Sequence, residues 1–91
     1  MPYFGCHLSP AGGYTAMIRT ACTLKADTLQ FFTRNPRGSR AKSPDPADVS
    51  RASWLLVQER FGPIVAHGAY TMNLCTREPE ARAFAAQVLT E

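Results

Sequence analysis

Tyr3-Phe-Gly-Cys-His-Leu-Ser-Pro-Ala-Gly-Gly-Tyr14 decides the fold class, together with the residues that follow it. Residues 3–8 predict a short buried strand, and Gly12 and Gly13 then break the chain. From Tyr14 the apolar residues are Tyr14, Met17, Ile18, Ala21 and Cys22. The spacing i, i+3, i+4, i+7, i+8 is one face of an amphipathic helix. Strand, glycine turn and helix together make one βα unit.

The same order recurs twice. Residues 28–33, Thr-Leu-Gln-Phe-Phe-Thr, predict a second strand, ended by Asn35-Pro36 and Gly38. Asp45-Pro46-Ala47-Asp48 is a helix start: Asp45 can cap, Pro46 suits the first helical position, and Asp48 adds negative charge to the first turn. That helix carries Val49, Ala52, Leu55 and Leu56 inward and is expected to end near Gly62-Pro63. Residues 64–67, Ile-Val-Ala-His, predict a third strand. A last helix runs from about Pro79, with Ala81, Phe84, Ala85, Val88 and Leu89 at helical spacing. Units of this size predict parallel strands joined by right-handed crossovers.

Two closures fit that order, a small doubly wound sheet and part of a (β/α)8 barrel. The strand faces favour the barrel. Gly5 and His7 share one face of the first strand, Gln30 opposes Leu29 and Phe31 on the second, and His67 opposes Ile64 and Ala66 on the third. A sheet covered by helices on both sides would be apolar on both faces. A barrel mouth accepts inward polar groups at the C-terminal ends of strands. The fold expected is therefore the first three βα units of a (β/α)8 TIM barrel, with parallel strands and the barrel incomplete. Residues 1–91 would be a single partial domain. The first and third strands would be open edges, which are sticky, so the chain is a fragment, pairs with a copy of itself, or closes differently.

Composition agrees. The 91 residues are 45% hydrophobic and 19% charged, a globular balance that excludes disordered and fibrous classes. No apolar run approaches the roughly 18 residues of a membrane span, and the N-terminus lacks the basic and apolar regions of a secretory signal. Cys6, Cys22 and Cys75 are odd in number and form no CxxC pair, which points to reduced thiols in the cytoplasm. Net charge is only +3, yet between Asp27 and Asp45 there is no acid while Arg34, Arg37, Arg40 and Lys42 all fall there. Such a stretch suits an anionic partner or is a solvated loop.

His67, at the end of an inner strand, can bind a metal through its imidazole; a lone histidine can also be an ordinary core or loop residue. His7 holds the same position on the first strand. The Ser9–Gly13 loop before a helix N-terminus can cradle an anion or be a tight turn needing positive φ at glycine. The loop 33–42 can neutralise phosphates, and Tyr70, on the loop 67–74, can wedge between bases, stack on one, or pack on its own loop. Cys75 could ligate a metal, although inert thiols are commoner.

Three motifs in series resemble the endonuclease IV family of apurinic/apyrimidinic endonucleases. They are Tyr3-Phe-Gly-Cys-His-Leu-Ser-Pro-Ala-Gly-Gly13, Leu29-Gln-Phe-Phe-Thr-Arg-Asn-Pro-Arg37 and His67-Gly-Ala-Tyr-Thr-Met-Asn-Leu74. The resemblance implies a barrel with three zinc ions in its mouth. It also implies incision of double-stranded DNA 5′ to abasic sites, in base excision repair, with no membrane involved. By position it makes His67 a zinc ligand and His7 a neighbour of the metal site. Arg37 and Tyr70 become residues that enter the duplex, with Asn35 in the same DNA-facing loop as Arg37. Thr71 stands where some members carry a larger apolar residue. The family is about three times longer and draws its other ligands from later strands, so no catalytic residue is assignable in this chain, which is expected to be an inactive N-terminal fragment. Two other readings stay open: part of a sugar isomerase or epimerase barrel, which would bind polyols, and a non-catalytic βα module that binds nucleic acid.

Overall fold

Strand β2 (Thr28–Phe32) is the middle of a three-stranded sheet, with β1 (Gly5–His7) on one side and β3 (Val65–His67) on the other. The computed structural model describes residues 2–35 and 43–90. Helix α1 (Tyr14–Thr23) follows β1, α2 (Pro46–Gln58) follows β2, and α3 (Pro79–Thr90) follows β3. The strands are parallel and the sheet is open, as the repeated βα order predicts. The outer strands are shorter than their apolar runs. Hydrogen bonding nevertheless continues past β1, from Asp27 N–H to the Phe4 carbonyl and from Leu8 N–H to the Gln30 carbonyl, both 2.9 Å. Gly5, Cys6 and His7 stand opposite Thr28, Leu29 and Gln30.

Two compact units are present. One combines Met1–Phe31 with Ser43–His67, and the other combines Phe32–Lys42 with Gly68–Glu91. The core of the first is Met17, Ile18 and Ala21 of α1, Leu29 and Phe31 of β2, and Ala52 of α2. Strand alternation explains the split of faces. Leu29 and Phe31 point into this cluster, so Thr28 and Gln30 point the other way. Burying Leu29 or Ile18, each 2% exposed, is worth about 1.5–3 kcal/mol. Tyr14, Cys22, Leu55 and Leu56 pack around the cluster, and burial pushes the Cys22 thiol pKa up.

Asp45 caps α2, accepting from Ala47 N–H at 3.0 Å with Pro46 behind it, as its sequence predicts. Asp48 does more than complement its own helix. Its carboxylate accepts from Tyr14 N–H at 2.7 Å and from Thr15 N–H at 3.1 Å, so it closes the N-terminus of α1 as well. The Thr15 hydroxyl returns a bond to the Asp48 carbonyl at 3.2 Å. Of the two uses open to the glycine loop, the structure holds the turn. Gly13 has φ +104°, and the N–H groups that an anion would take are given to Asp48.

Hydrogen bonding by Thr15, then the backbone N–H groups of Tyr14 and Thr15, hold the Asp48 carboxyl below its ordinary pKa, with Arg51 adding to the effect. A depressed folded pKa gives stability that is present above the unfolded value of about 4 and lost as pH falls through the folded one. Asp48→Asn is therefore expected to lower the melting midpoint at pH 7 and to flatten its fall below about pH 4. An acid limb as steep as the parent's would exclude Asp48 from that linkage.

The end of α2 departs from expectation. It stops at Gln58 rather than near Gly62-Pro63 because Arg60 takes the left-handed conformation, φ 55°. Phe61 N–H then reaches the Leu56 carbonyl and Arg60 N–H the Val57 carbonyl, the paired closure of a Schellman motif. α1 ends the same way: Lys25 has φ 59°, Ala26 N–H bonds to Ala21 and Lys25 N–H to Cys22. Glycine usually takes this position, so neither stop is marked by residue type. The stripe expected on α3 is also only partly inward. Ala85 and Val88 are buried, whereas Ala81, Phe84 and Leu89 are exposed. Among the described residues no helix is long and apolar enough to cross a membrane.

Candidate functional site

His7 and His67 are the last residues of β1 and β3, and the strand between them brings Gln30 into line. Gln30 pairs in register with His7 and faces away from the helices, because its neighbours Leu29 and Phe31 face them. Its side-chain amide lies 3.2 Å from His7 Nδ1. With the amide nitrogen donating, His7 accepts at Nδ1. The two imidazoles stand edge to face, with centroids 6.5 Å apart. Both are exposed. The face that strand alternation predicts to be polar is therefore where the histidines gather.

This donor set suits zinc in kind, since neutral imidazole nitrogens are among its common ligands. It falls short in number: zinc takes four donors, and among the described residues no three of His, Cys, Asp and Glu cluster closely enough to hold a metal ion. The remaining donors would have to come from outside these residues. An apolar hollow of about 280 Å³ lies at α1 and α2, lined by Tyr14, Met17, Ile18, Val49, Ala52 and Leu56 among others. It offers no convergent polar groups, and its lining shares core residues rather than the histidine face.

The second unit holds the residues read as DNA-facing. Tyr70 and Thr71 are the middle of a turn closed by Met72 N–H on the Ala69 carbonyl at 3.0 Å. Ala69 is buried and Tyr70 exposed. The Tyr70 ring meets Phe32 edge to face, with centroids 5.3 Å apart. Asn35 is exposed on the segment after β2. Arg34 in the same segment is half-buried, and its Nη2 donates to the Val88 carbonyl of α3 at 3.4 Å. Arg37, Arg40 and Lys42 lie outside the described residues.

Thus the structure brings His7 and His67 together, adding Gln30, and gives Tyr70 an aromatic neighbour in Phe32. Gln30 was legible as the polar residue between Leu29 and Phe31, but not as a partner of His7. Phe32 reads from sequence only as strand filler, and Arg34 only as one cation among several.

These features define a segment of an α/β protein built from parallel βα units, with imidazoles gathered at strand ends. No protein-family model matches the chain. Along its whole length it is 54% identical, over 91 residues, to the probable endonuclease 4 of Akkermansia muciniphila, and covers 33% of that protein. Over 87 residues it is 48% identical to the probable endonuclease 4 of Heliobacterium modesticaldum, which is 96% of this chain and 32% of the other. The solved endonuclease IV from Thermus thermophilus matches 97% of the chain with a TM-score of 0.83 at 32% identity, and the match spans 33% of that structure. The chain spans about a third of the length of the relatives it matches. It is a relative of the endonuclease IV proteins in sequence and in fold, and the likeness first read from three motifs extends over the whole chain.

Proposed function

We propose that this chain is the first three βα units, one partial domain, of a zinc-dependent endonuclease that incises DNA 5′ to abasic sites. The observation that carries the reading is the meeting of His7 and His67 at 6.5 Å on the face opposite the helices, in a chain 54% identical to a probable endonuclease 4 from end to end. His67 would hold a metal ion, and His7, engaged by Gln30, would stand beside it. Bound zinc supplies hydroxide at neutral pH and offsets the charge of the scissile phosphate. The chain's own part is to hold the imidazole donor at a strand end and to grip the duplex.

Tyr70 would enter the duplex from its turn, and Asn35 and Arg37 would contact it from the segment after β2. An abasic nucleotide has no base to unstack, so opening the helix there costs less than elsewhere. Phosphate contacts should dominate, which makes binding salt-sensitive and independent of sequence. The work would be done in the cytoplasm, where the three free thiols stay reduced.

The test is incision of a labelled duplex with one abasic site, before and after metal chelation, by the intact protein, meaning an endonuclease that carries this chain as its first three βα units; the 91-residue chain alone is expected not to cut. A single cut 5′ to the lesion, lost on chelation and restored by zinc, is expected. Affinity for polyols without incision would put a sugar isomerase in its place. For Arg37→Ala the expected loss of affinity for the abasic duplex is about 10- to 100-fold, that of one arginine anchor. Equal affinity would return its loop to the solvated class.

A further inference from the structure

Phe32 is the last residue of β2, and its ring stands against Tyr70 at 5.3 Å with the two planes 80° apart. This is the favoured arrangement of two aromatic rings, the positive edge of one against the negative face of the other. Tyr70 needs such a neighbour. It is 65% exposed at a turn, where a side chain ordinarily moves among rotamers. Freezing a mobile side chain on binding costs on the order of two- to tenfold in affinity.

The surroundings hold both ends of the pair. On Tyr70's side, the turn is closed by the bond from Met72 N–H to the Ala69 carbonyl, and Ala69 is buried. The Met72 methyl lies so near Gly68 that a Cβ there would come within 2.6 Å of it, so this side chain folds back over the start of the loop. On the side of Phe32, the strand ends in a half-buried residue, and two positions on Arg34 bonds to the Val88 carbonyl. Val88 lies in the last turn of α3, where carbonyls lack helical partners and the dipole is negative, so a guanidinium is well placed. A ring on a fixed strand end thus faces a ring on a fixed turn.

We infer that Phe32 is a positioning residue for Tyr70, holding its ring in one orientation before DNA arrives. The inference rests on the reading of Tyr70 as the residue that enters the duplex. Phe32 itself need not touch DNA. Its effect is on preference for the lesion, because only the inserted state uses the oriented ring.

The experiment measures binding of the intact protein to a duplex with one abasic site and to the same duplex undamaged. Tyr70→Ala is expected to lose most of the preference. Phe32→Leu keeps apolar bulk without the ring, and should lose about three- to tenfold of the preference while affinity for undamaged duplex stays unchanged. Phe32→Tyr restores a ring and should bind within about twofold of the parent. Phe32→Leu combined with Tyr70→Ala should bind no more weakly than Tyr70→Ala alone, because the first residue acts through the second. In the protein without DNA, the ring protons of Tyr70 should move in the NMR spectrum of Phe32→Leu. Should Phe32→Leu fail to fold, Phe32→Met takes its place with the same expectations. If Tyr70→Ala weakens lesion binding while Phe32→Leu does not, or if their losses add in full, the positioning role is overturned and the reading of Tyr70 survives. If Tyr70→Ala binds as the parent does, that reading falls and takes this inference with it.

Discussion

Gly5→Ala is expected to cost about 3 kcal/mol or more, a large share of the roughly 5–15 kcal/mol that holds a domain of ordinary stability. A Cβ at Gly5 would lie 1.9 Å from the Thr28 carbonyl oxygen and 2.5 Å from its carbon. Both are backbone atoms of the middle strand, so no side-chain rotation can relieve the overlap. Ordinary van der Waals contact begins at about 3.4 Å, so β1 would have to retreat by more than an ångström. Retreat breaks the register of Gly5, Cys6 and His7 on Thr28, Leu29 and Gln30. It also carries away His7, two residues on, and with it the contact to Gln30. Glycine in a strand often marks such an approach of two backbones. Gly12→Ala is the control: its Cβ would meet Ala16 Cβ at an ordinary 3.8 Å, and the change expected is within about 0.5 kcal/mol. Urea unfolding of the two variants beside the parent measures the difference. Equal midpoints would mean that β1 can shift freely, and that the pairing does not hold His7 in place.

The neighbouring strand β2 shows how much of the molecule is legible from its sequence. Period-two alternation separates Leu29 and Phe31 from Gln30, and period-3.6 spacing picks out Met17, Ile18 and Ala21. These patterns follow from burial of one face of each element, so they survive in any fold that keeps a core. The Asp45-Pro46 helix start is equally local and is found as expected. What the patterns miss is decided by distant residues or by unusual backbone. Asp48 closes a helix more than 30 positions earlier in the chain, and nothing near Tyr14 announces it. Lys25 and Arg60 end helices in a conformation that glycine usually takes, so the stop carries no mark of composition. At the candidate site, His7 and His67 could be placed at strand ends from periodicity alone. Their meeting depends on β2 lying between β1 and β3, which is a property of the sheet. Gln30 and Phe32 acquire their parts only through partners 23 and 38 positions away, His7 and Tyr70.

His67→Ala should separate function from stability in the opposite way to Gly5→Ala. His67 is exposed at the end of an edge strand. Removing its ring opens no core cavity, so the unfolding midpoint should hold within about 0.5 kcal/mol of the parent. If the imidazole ligates zinc, the intact protein should nevertheless lose bound metal, and incision of an abasic duplex should fall by about a hundredfold or more. That floor is set by outer-shell partners, whose loss alone costs 10- to 100-fold. His7→Ala then acts as the internal comparison. Its Nδ1 is engaged by Gln30, so a neighbour of the metal rather than a ligand should keep the metal and lose rate by about 10-fold. Metal content by elemental analysis and rate under single-turnover conditions give both readouts from the same preparations. Full metal content in His67→Ala would take that residue out of the site, and equal metal loss in both variants would make His7 a ligand too. Retained stability is what makes the result interpretable, because metal lost along with the fold, as Gly5→Ala would give, says nothing about which atom held it.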